Sequence, residues 1–492
     1  MSRAGAFAAI DLGAESGRVV YGRLEGERIE LEVAHRFPNR PVRLPDGLHW
    51  NILSLFAEAL AGLRTAAETN ELRSVGVDAW GVDYALLGAG GRVLGLPFHY
   101  RDERTVGMVE RAHRRVSREE LYRTTGIQTM PINTVFQLLA EEHGESLAGA
   151  SQIALVPDLI ASWLGGVVAN ESTAASTTGL LDARSGRWAV DVIERLGLPV
   201  RLFGELVEPG ASVGSLLAHH GLGAVPVCAV AGHDTASAFV AAPLRDRSSA
   251  VLSSGTWSLL GVELDAAVLA DDARRFNLSN ERGIDGTTRL LRNVMGLWLL
   301  QECRRSLAPD GAAGYDDLLL LAEAAGDDVP LFDPDDEDLL RPGDMPRRIG
   351  EACVRAGQAA PGSTGELVRS ILVSLACKYR LVLERLEQVT ARGIETIHVI
   401  GGGARNAVLC QITADVLGRR VLAGPVEATA LGNVLVQARA AGELGSLSDM
   451  RRVAAASAQP ATYEPGEGAD GDETYARFLR ATTSRAHEGT KT

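Results

Sequence analysis

A chain of 492 residues exceeds what one ordinary hydrophobic core organises, so two or three domains are expected. With 46% hydrophobic and 23% charged residues it is globular and not disordered. A formal charge of −14 excludes a nucleic-acid phosphate backbone as the main partner, while a local basic pocket for a small phosphate stays open.

In chain order, "AFAAID" (6–11) reads as a buried strand that delivers Asp11 at its end. The turn that follows, "DLGAESGR" (11–18), is either an ordinary glycine hairpin or a phosphate nest. In the second case Gly13 and Gly17 give the backbone its freedom, Ser16 a hydroxyl and Arg18 a charge, and Asp11 could hold a hydrated Mg²⁺. No Gly-Lys-Ser/Thr follows, so this is not a Walker loop. The run 53–68 fits a helix with Leu55, Phe56, Ala59, Leu60 and Leu63 on one face. "VGVDAW" (75–80) is a strand leading to Trp80 and Asp83, which suit either a sugar pocket or a core tryptophan beside a turn aspartate. Further strands fall at 153–157 and 225–232.

"AGHDTASA" (231–238) sets His233 and Asp234 among very small residues at the head of a predicted helix. Asp234 is either a helix cap or a base that a substrate hydroxyl can reach, and both can hold at once. A domain boundary is expected at "APLRDRSS" (242–249). Beyond it, "SAVLSSGTWSLLGVEL" (249–264) repeats the scheme of residues 7–26: a strand, a Gly and Ser/Thr turn, a second strand. Gly255 and Thr256 would form the opposing phosphate clamp. The sequence "RNVMGLWLLQE" (292–302) reads as one amphipathic helix with Asn293 and Gln301 on the same side. The Pro/Asp-rich run 331–346 reads as a solvated surface loop. A long helix fits 366–389, opened by Ser363 and Glu366 at capping-box spacing. "IHVIGGG" (397–403) ends in glycines against which a nucleotide base or ribose can lie, near a helix N-terminus at Ala404, with Asn406 where a dinucleotide fingerprint needs glycine. A last strand falls at 419–425; after Tyr463 the chain turns polar, with fraying expected past Ala486.

The five cysteines are scattered and read as core thiols. His219, His220 and His398 lack ligand-spaced partners and read as structural. The N-terminal apolar run meets Asp11 too soon for a signal peptide, and no apolar stretch reaches spanning length. A soluble, cytoplasmic α/β protein is expected.

Taken in order, the segments above, with "LPFHYRDERT", "GIQTMPINTVFQL" and "AGPVEATALGN", resemble the FGGY carbohydrate kinases from about residue 7 to 463, nearest the branch that phosphorylates L-rhamnulose. The resemblance implies two actin-like (ribonuclease H-like) ATPase domains with a nucleotide and sugar cleft between them. These would be an N-terminal domain 1–245, a C-terminal domain 246–463 and a tail 464–492. It implies ATP at Ala14, Glu15, Ser16, Gly17, Arg18, Thr256, Gln301, Gly402 and Gly403, with Asn406 nearby. The ketose would meet Gly81, His233, Asp234, Thr235 and Asn293, with Asp234 as catalytic base and Asp11 helping to hold Mg²⁺. Two departures stand out: Glu15 replaces a serine common among relatives, and "GGGARN" replaces "GGGCQN". Kinases for L-fuculose, L-ribulose, xylulose or glycerol, a non-catalytic sugar sensor, and an actin-type ATPase remain rivals on the same fold.

Overall fold

The computed structural model describes residues 4–244, 246–307, 314–468 and 470–483; the fraying expected past Ala486 lies outside them. The chain divides into two units, each discontinuous. The first comprises Met1–Pro243, Glu263–Leu291 and Glu427–Gln459; the second comprises Leu244–Val262, Arg292–Val426 and Pro460–Thr492. This division departs from a linear one, because residues 263–291 and 427–459 pack with the N-terminal unit.

The first unit is built on a six-stranded sheet. Its strands are β1 (Ala4–Leu12), β2 (Ser16–Glu25), β3 (Arg28–Pro38), β4 (Asn70–Ala79), β5 (Ser212–Ser215) and β6 (Pro226–Cys228), in the order β5-β6-β4-β1-β2-β3. β1, β4 and β6 run parallel, with Asp11 opposite Asp78 and Cys228 opposite Gly76. Their near-continuous apolar sequence follows from burial on both faces. β6 is shorter than the apolar run 225–232 suggested, and the chain continues irregularly to a bridge between His233 and Ala79. Likewise the strand expected at 153–157 ends at Leu155, since Pro157 sits in the first turn of a helix starting at Val156. Helix α1 (Ile52–Thr69) buries Leu55, Ala59 and Leu63, with Phe56 edge-on to Trp163.

In the second unit, β7 (Ser249–Ser254) pairs antiparallel with β8 (Trp257–Leu264) and parallel with a later strand, repeating the local plan of β1, β2 and β4. The hairpin β9 (Ser279–Arg282) and β10 (Thr288–Met295) overturns the single helix expected over 292–302. Asn293 lies on a strand, and the helix α3 (Trp298–Leu307) begins only after Gly296. A Cβ at Gly296 would come within 2.6 Å of the Trp257 backbone, so strand pairing and this close approach override the helical pattern. The 331–346 run is not a solvated loop throughout: Leu331, Phe332, Asp336 and Leu339 are buried. Lys378, from the long helix α4 (Thr364–Thr390), reaches both Asp333 and Asp335. Ser363 caps that helix, but Glu366 accepts from Gly362 and not from Ser363, so the capping box is half formed. β11 (Thr396–Ile400) and β12 (Arg420–Ala423) continue the sheet in parallel, and β13 (Ala461–Tyr463) closes it antiparallel. The five cysteines are buried and unpaired.

Helix α5 (Ala428–Ala440) returns to the first unit and lies against helix α2 (Asp234–Ala241) so closely that a Cβ on Gly432 would sit 1.8 Å from the Ser237 carbonyl oxygen. Backbone cannot yield as a side chain can. Gly432→Ala is therefore expected to lower the melting temperature and the soluble yield, at a cost of about 1–3 kcal/mol or more. A melting curve superimposable on the parent's would show that the helices separate freely.

Candidate active site

The parallel strands of the first unit bring carboxylates to one edge. Asp11 and its partner Asp78 are each the last residue but one of their strands, β1 and β4, and Asp234 opens α2 after β6. Asp11 and Asp78 are buried, while the Asp234 side chain keeps 30% of its surface exposed. Burial pushes Asp11 up to about 6 against the pull of Arg18, with Asp234 and Glu427 adding to the rise. Burial also pushes Asp78 well above the carboxylate range, helped by Asp11 and opposed by a hydrogen bond from Asn433.

Arg18 is already engaged. Its Nε lies 3.0 Å from Asp11 Oδ2 and its Nη1 donates to Glu427 Oε2 at 2.5 Å; Glu427 also receives Arg36. Around Asp11 the carboxylates outnumber the guanidiniums, and Asp78 Oδ1 is buried with no donor among the described residues. No cluster of three His, Cys, Asp or Glu forms a metal cage among the described residues. Excess negative charge with few protein ligands fits a hydrated divalent cation that arrives with phosphate oxygens.

The turn Gly13–Ser16 is tight, with Gly13 N–H donating to the Ser16 carbonyl at 3.1 Å. Neither Gly13 nor Gly17 has a positive φ, so backbone freedom is not their role. Gly17 is needed for space, since a Cβ there would meet Phe37 at 2.2 Å. Asn39 braces the turn by donating from its side chain to Gly13 O and from its backbone to Glu15 O. Ala14 and Ser16 lie partly exposed in the same turn.

At the head of α2 the cap residue is His233, without a side-chain cap bond, so Asp234 occupies the first helical position and not the cap. Asp234 Oδ1 accepts from the Thr235 backbone and hydroxyl, which directs Thr235 to the carboxylate. Buried Glu171 holds the preceding loop: it accepts from Gly232 N–H at 2.8 Å and from the backbone of Thr173 and Ala174. Gly81 follows β4, and a Cβ on it would press on Thr177 at 3.0 Å. Its neighbour Val82 has φ 69°, a costly conformation for a β-branched residue, held by Thr177 and Thr134 hydroxyls.

In the second unit, Gly255 and Thr256 form the β7–β8 turn, whose carbonyls accept from Leu297 and Trp298 at the start of α3. On that helix Gln301 Oε1 is buried with no partner among the described residues. Asn293 on β10 is bracketed by Asp335, which binds Arg292 Nη2 and Met295 N–H. Burial raises Asp335, but Lys378 and Arg292 outweigh it and hold it at about 2. The three glycines differ: Gly401 has φ 80°, a Cβ on Gly403 would strike Ser254 Oγ at 2.0 Å, and a Cβ on Gly402 would meet open space. Asn406 caps the next helix by accepting from Leu409 N–H and donates to Tyr315.

Residues 7–241 match the model of the FGGY family of carbohydrate kinases, N-terminal domain, and residues 250–441 that of its C-terminal domain. The chain belongs to the FGGY family of carbohydrate kinases. It is 43% identical over 479 residues to a rhamnulokinase of Bacteroides thetaiotaomicron, covering 96% of this chain and 98% of that one. A Klebsiella pneumoniae rhamnulokinase is 39% identical over 476 residues, with 96% of each chain covered. Among solved structures, a Rhodospirillum rubrum xylulose kinase superposes with a TM-score of 0.75 at 20% identity, over 98% of each chain. Plasmodium falciparum glycerol kinase with ADP gives 0.76 at 14% identity, over 100% of this chain and 99% of that one. The two-domain, actin-like α/β fold is thereby shown, and with the family an ATP-dependent carbohydrate kinase that uses a divalent cation. No helix among the described residues is long and apolar enough to cross a membrane.

Trp80 and Asp83 take the core reading in this FGGY kinase. Asp83 is fully buried and accepts from Trp50 Nε1, Trp80 Nε1, the Tyr100 backbone and Gln137 Nε2. Asp78, Asn39, Glu171 and Glu427 were not singled out by sequence reasoning. Asp78 reads as strand interior, and Glu427 lies inside a quoted motif without a distinguishing neighbour.

Trp50 also stacks on His99, with ring centroids 4.0 Å apart, and His99 Nδ1 accepts from Arg101 N–H. Burial, aided by the Arg101 charge, lowers His99 from 6.5 to about 3. The unfolded imidazole binds a proton that the folded one refuses. Its contribution to stability is thus complete above pH 6.5 and declines as pH falls toward 3, by about 1.4 kcal/mol per unit within that window. Between pH 7.5 and 5.5 the parent's melting temperature should fall more steeply than that of His99→Phe, which keeps the stack (roughly, by the same linkage). Parallel curves would show that His99 titrates as it does in the unfolded chain.

Proposed function

We propose that this kinase transfers the γ-phosphoryl group of ATP to O1 of L-rhamnulose, giving L-rhamnulose 1-phosphate and ADP in L-rhamnose catabolism. The observation that carries the reading is the end-to-end similarity to rhamnulokinases, combined with a partly exposed Asp234 beside buried Asp11 and Asp78. The buried, unpaired thiols suit a cytoplasmic setting.

Phosphoryl transfer needs alignment, charge neutralisation and a place for the hydroxyl proton. Asp234 accepts that proton as the O1–phosphorus bond forms and the bond to the ADP oxygen breaks. A carboxylate suffices, since the hydroxyl grows acidic as its oxygen bonds to phosphorus. Thr235 turns the carboxylate through its backbone and hydroxyl, leaving the second oxygen for the substrate. His233, Gly81 and Asn293 are assigned to the ketose. The turn Ala14–Arg18 is assigned to the phosphates, and Thr256, Gln301, Gly402 and Gly403 to the nucleotide. Asp11 would help hold a Mg²⁺ brought with ATP, which when bound would supply charge neutralisation.

Purified protein with Mg-ATP and a panel of L-rhamnulose, L-fuculose, L-ribulose, D-xylulose and glycerol tests the substrate directly. ADP release is expected to be fastest with L-rhamnulose, and a faster rate with any other member would reassign it. Asp234→Asn should lower turnover by roughly 10²–10⁴ while calorimetry shows ketose affinity largely retained, and a smaller loss would remove Asp234 from the base role.

The glycines offer a separate test of the nucleotide assignment. Gly402→Ala adds a methyl to open space, so it should leave the melting temperature unchanged and raise the KM for ATP. Gly403→Ala, by contrast, should destabilise the fold through Ser254. An unaltered ATP KM in Gly402→Ala would place the nucleotide elsewhere.

A further inference from the structure

Glu281 on β9 and Arg289 on β10 are cross-strand partners, and both are buried: Glu281 keeps 3% of its surface and Arg289 none. Arg289 Nη1 lies 3.3 Å from Glu281 Oε2, and its Nε donates to the Arg282 carbonyl at 3.0 Å. Ser279 donates to Glu281 Oε1. The guanidinium sits 5.8 Å from the ring centroid of Phe239, on the same helix that Asp234 opens. A buried ion pair is weak evidence for stability, because apolar residues of similar volume often serve as well. Its placement beside the catalytic loop is therefore informative.

The remaining nitrogen of Arg289 decides the matter. Nη2 donates to Nδ1 of His233 at 3.2 Å. Glu281 Oε2 is nearly as close to Nδ1, at 3.3 Å; it meets no hydrogen bond as the side chains stand, but it would accept from Nδ1 if the proton were there, which would hold the Glu281 carboxyl low. A guanidinium has donors only, so the contact from Nη2 calls for the lone pair on Nδ1 and the proton on Nε2, against the pull of Glu281 for the opposite arrangement. Nε2 is the nitrogen that faces Asp234, 3.5 Å from Oδ1.

We propose that Arg289, held by Glu281, is a positioning residue that fixes the tautomer of His233. With its proton on Nε2, His233 donates to the oxygen of the incoming hydroxyl or to Asp234. The hydroxyl proton is then left pointing at the carboxylate that receives it. The other tautomer would put a lone pair there, compete for the same proton and misdirect the hydroxyl.

This rests on Asp234 being the base, and two measurements separate the ideas. The first needs no activity. Nitrogen-15 spectra of the histidine-labelled parent, with the His233 signals assigned through His233→Gln, should show a neutral ring protonated on Nε2. A ring protonated on Nδ1, or on both nitrogens, overturns the proposal. The second is kinetic, using Glu281→Gln/Arg289→Met so that no unpaired charge is left buried, with Arg289→Lys as the conservative companion. In the parent background the double variant should lower kcat with L-rhamnulose by roughly 10- to 100-fold at an unchanged KM for ATP, and Arg289→Lys should recover part of the loss. In the His233→Gln background the same substitutions should add almost nothing, since their effect runs through the imidazole. Equal losses in both backgrounds would make the pair merely structural. Full turnover by Asp234→Asn would instead remove the base reading, while the spectra would still decide the tautomer.

Discussion

Asp11 and Asp78 face each other across two parallel strands, inside the protein, where like charges repel most strongly. Much of the first unit answers that juxtaposition. Arg18 crosses from the next strand to Asp11, Glu427 holds Arg18 from the other side, and Asn433 donates to Asp78. Gly76 makes room for Asn433, since a Cβ there would stand 2.5 Å from its side-chain oxygen. Gln437, one helical turn on, donates to the Ala8 carbonyl and accepts from Ser74. A sheet packed only for stability would place apolar residues at these positions. The polar ladder instead keeps a charged edge intact at the ends of the strands, where the chemistry of an open α/β sheet is usually found.

The loop that carries His233 and Asp234 is fastened by a different principle. Its backbone, from Gly232 to His233, is gripped by Glu171 and Thr173, and its imidazole is oriented by Arg289. Asp234 itself is left partly exposed, with one oxygen turned by Thr235. Rigid surroundings and one accessible carboxylate oxygen are what a group needs if it must meet a hydroxyl in a fixed direction.

How much of this the sequence discloses depends on whether a residue's role is local. The strands ending at Leu12 and Ile400, the paired hairpins of the two halves, and the helices 52–69 and 364–390 follow from periodicity and turn residues within short windows. The segment 292–302 misleads because its helical spacing is real, while the pairing of β9 with β10 and the approach of Gly296 to Trp257 are not local. The run 331–346 misleads through composition: two of its acidic residues, Asp333 and Asp335, are half-buried and paired with Lys378 and Arg292, which are distant in sequence. Asp78, Glu171, Glu281 and Arg289 share that cause. Each acquires meaning only from a partner on another element, and none stands in a pattern that its own neighbours reveal. The motif "GHDTASA" stands out in the sequence because its small residues surround the histidine and the aspartate within one short window.

The discontinuity of the first unit bears on how the chain is made. Helix α5, which supplies Asn433, Gln437 and the cap residue Glu427, is synthesised long after β1 and β4. Until it emerges from the ribosome, the Ala8 carbonyl, Ser74 and Asp78 lack the partners they have in the finished protein, and the surface that packs on α2 stays bare. The N-terminal sheet cannot gain those partners until most of the second unit has been translated. Vectorial synthesis normally lets the first domain finish first. Here the earliest strands take buried partners from the last quarter of the chain, so the first unit is complete only when nearly all of the chain has been made.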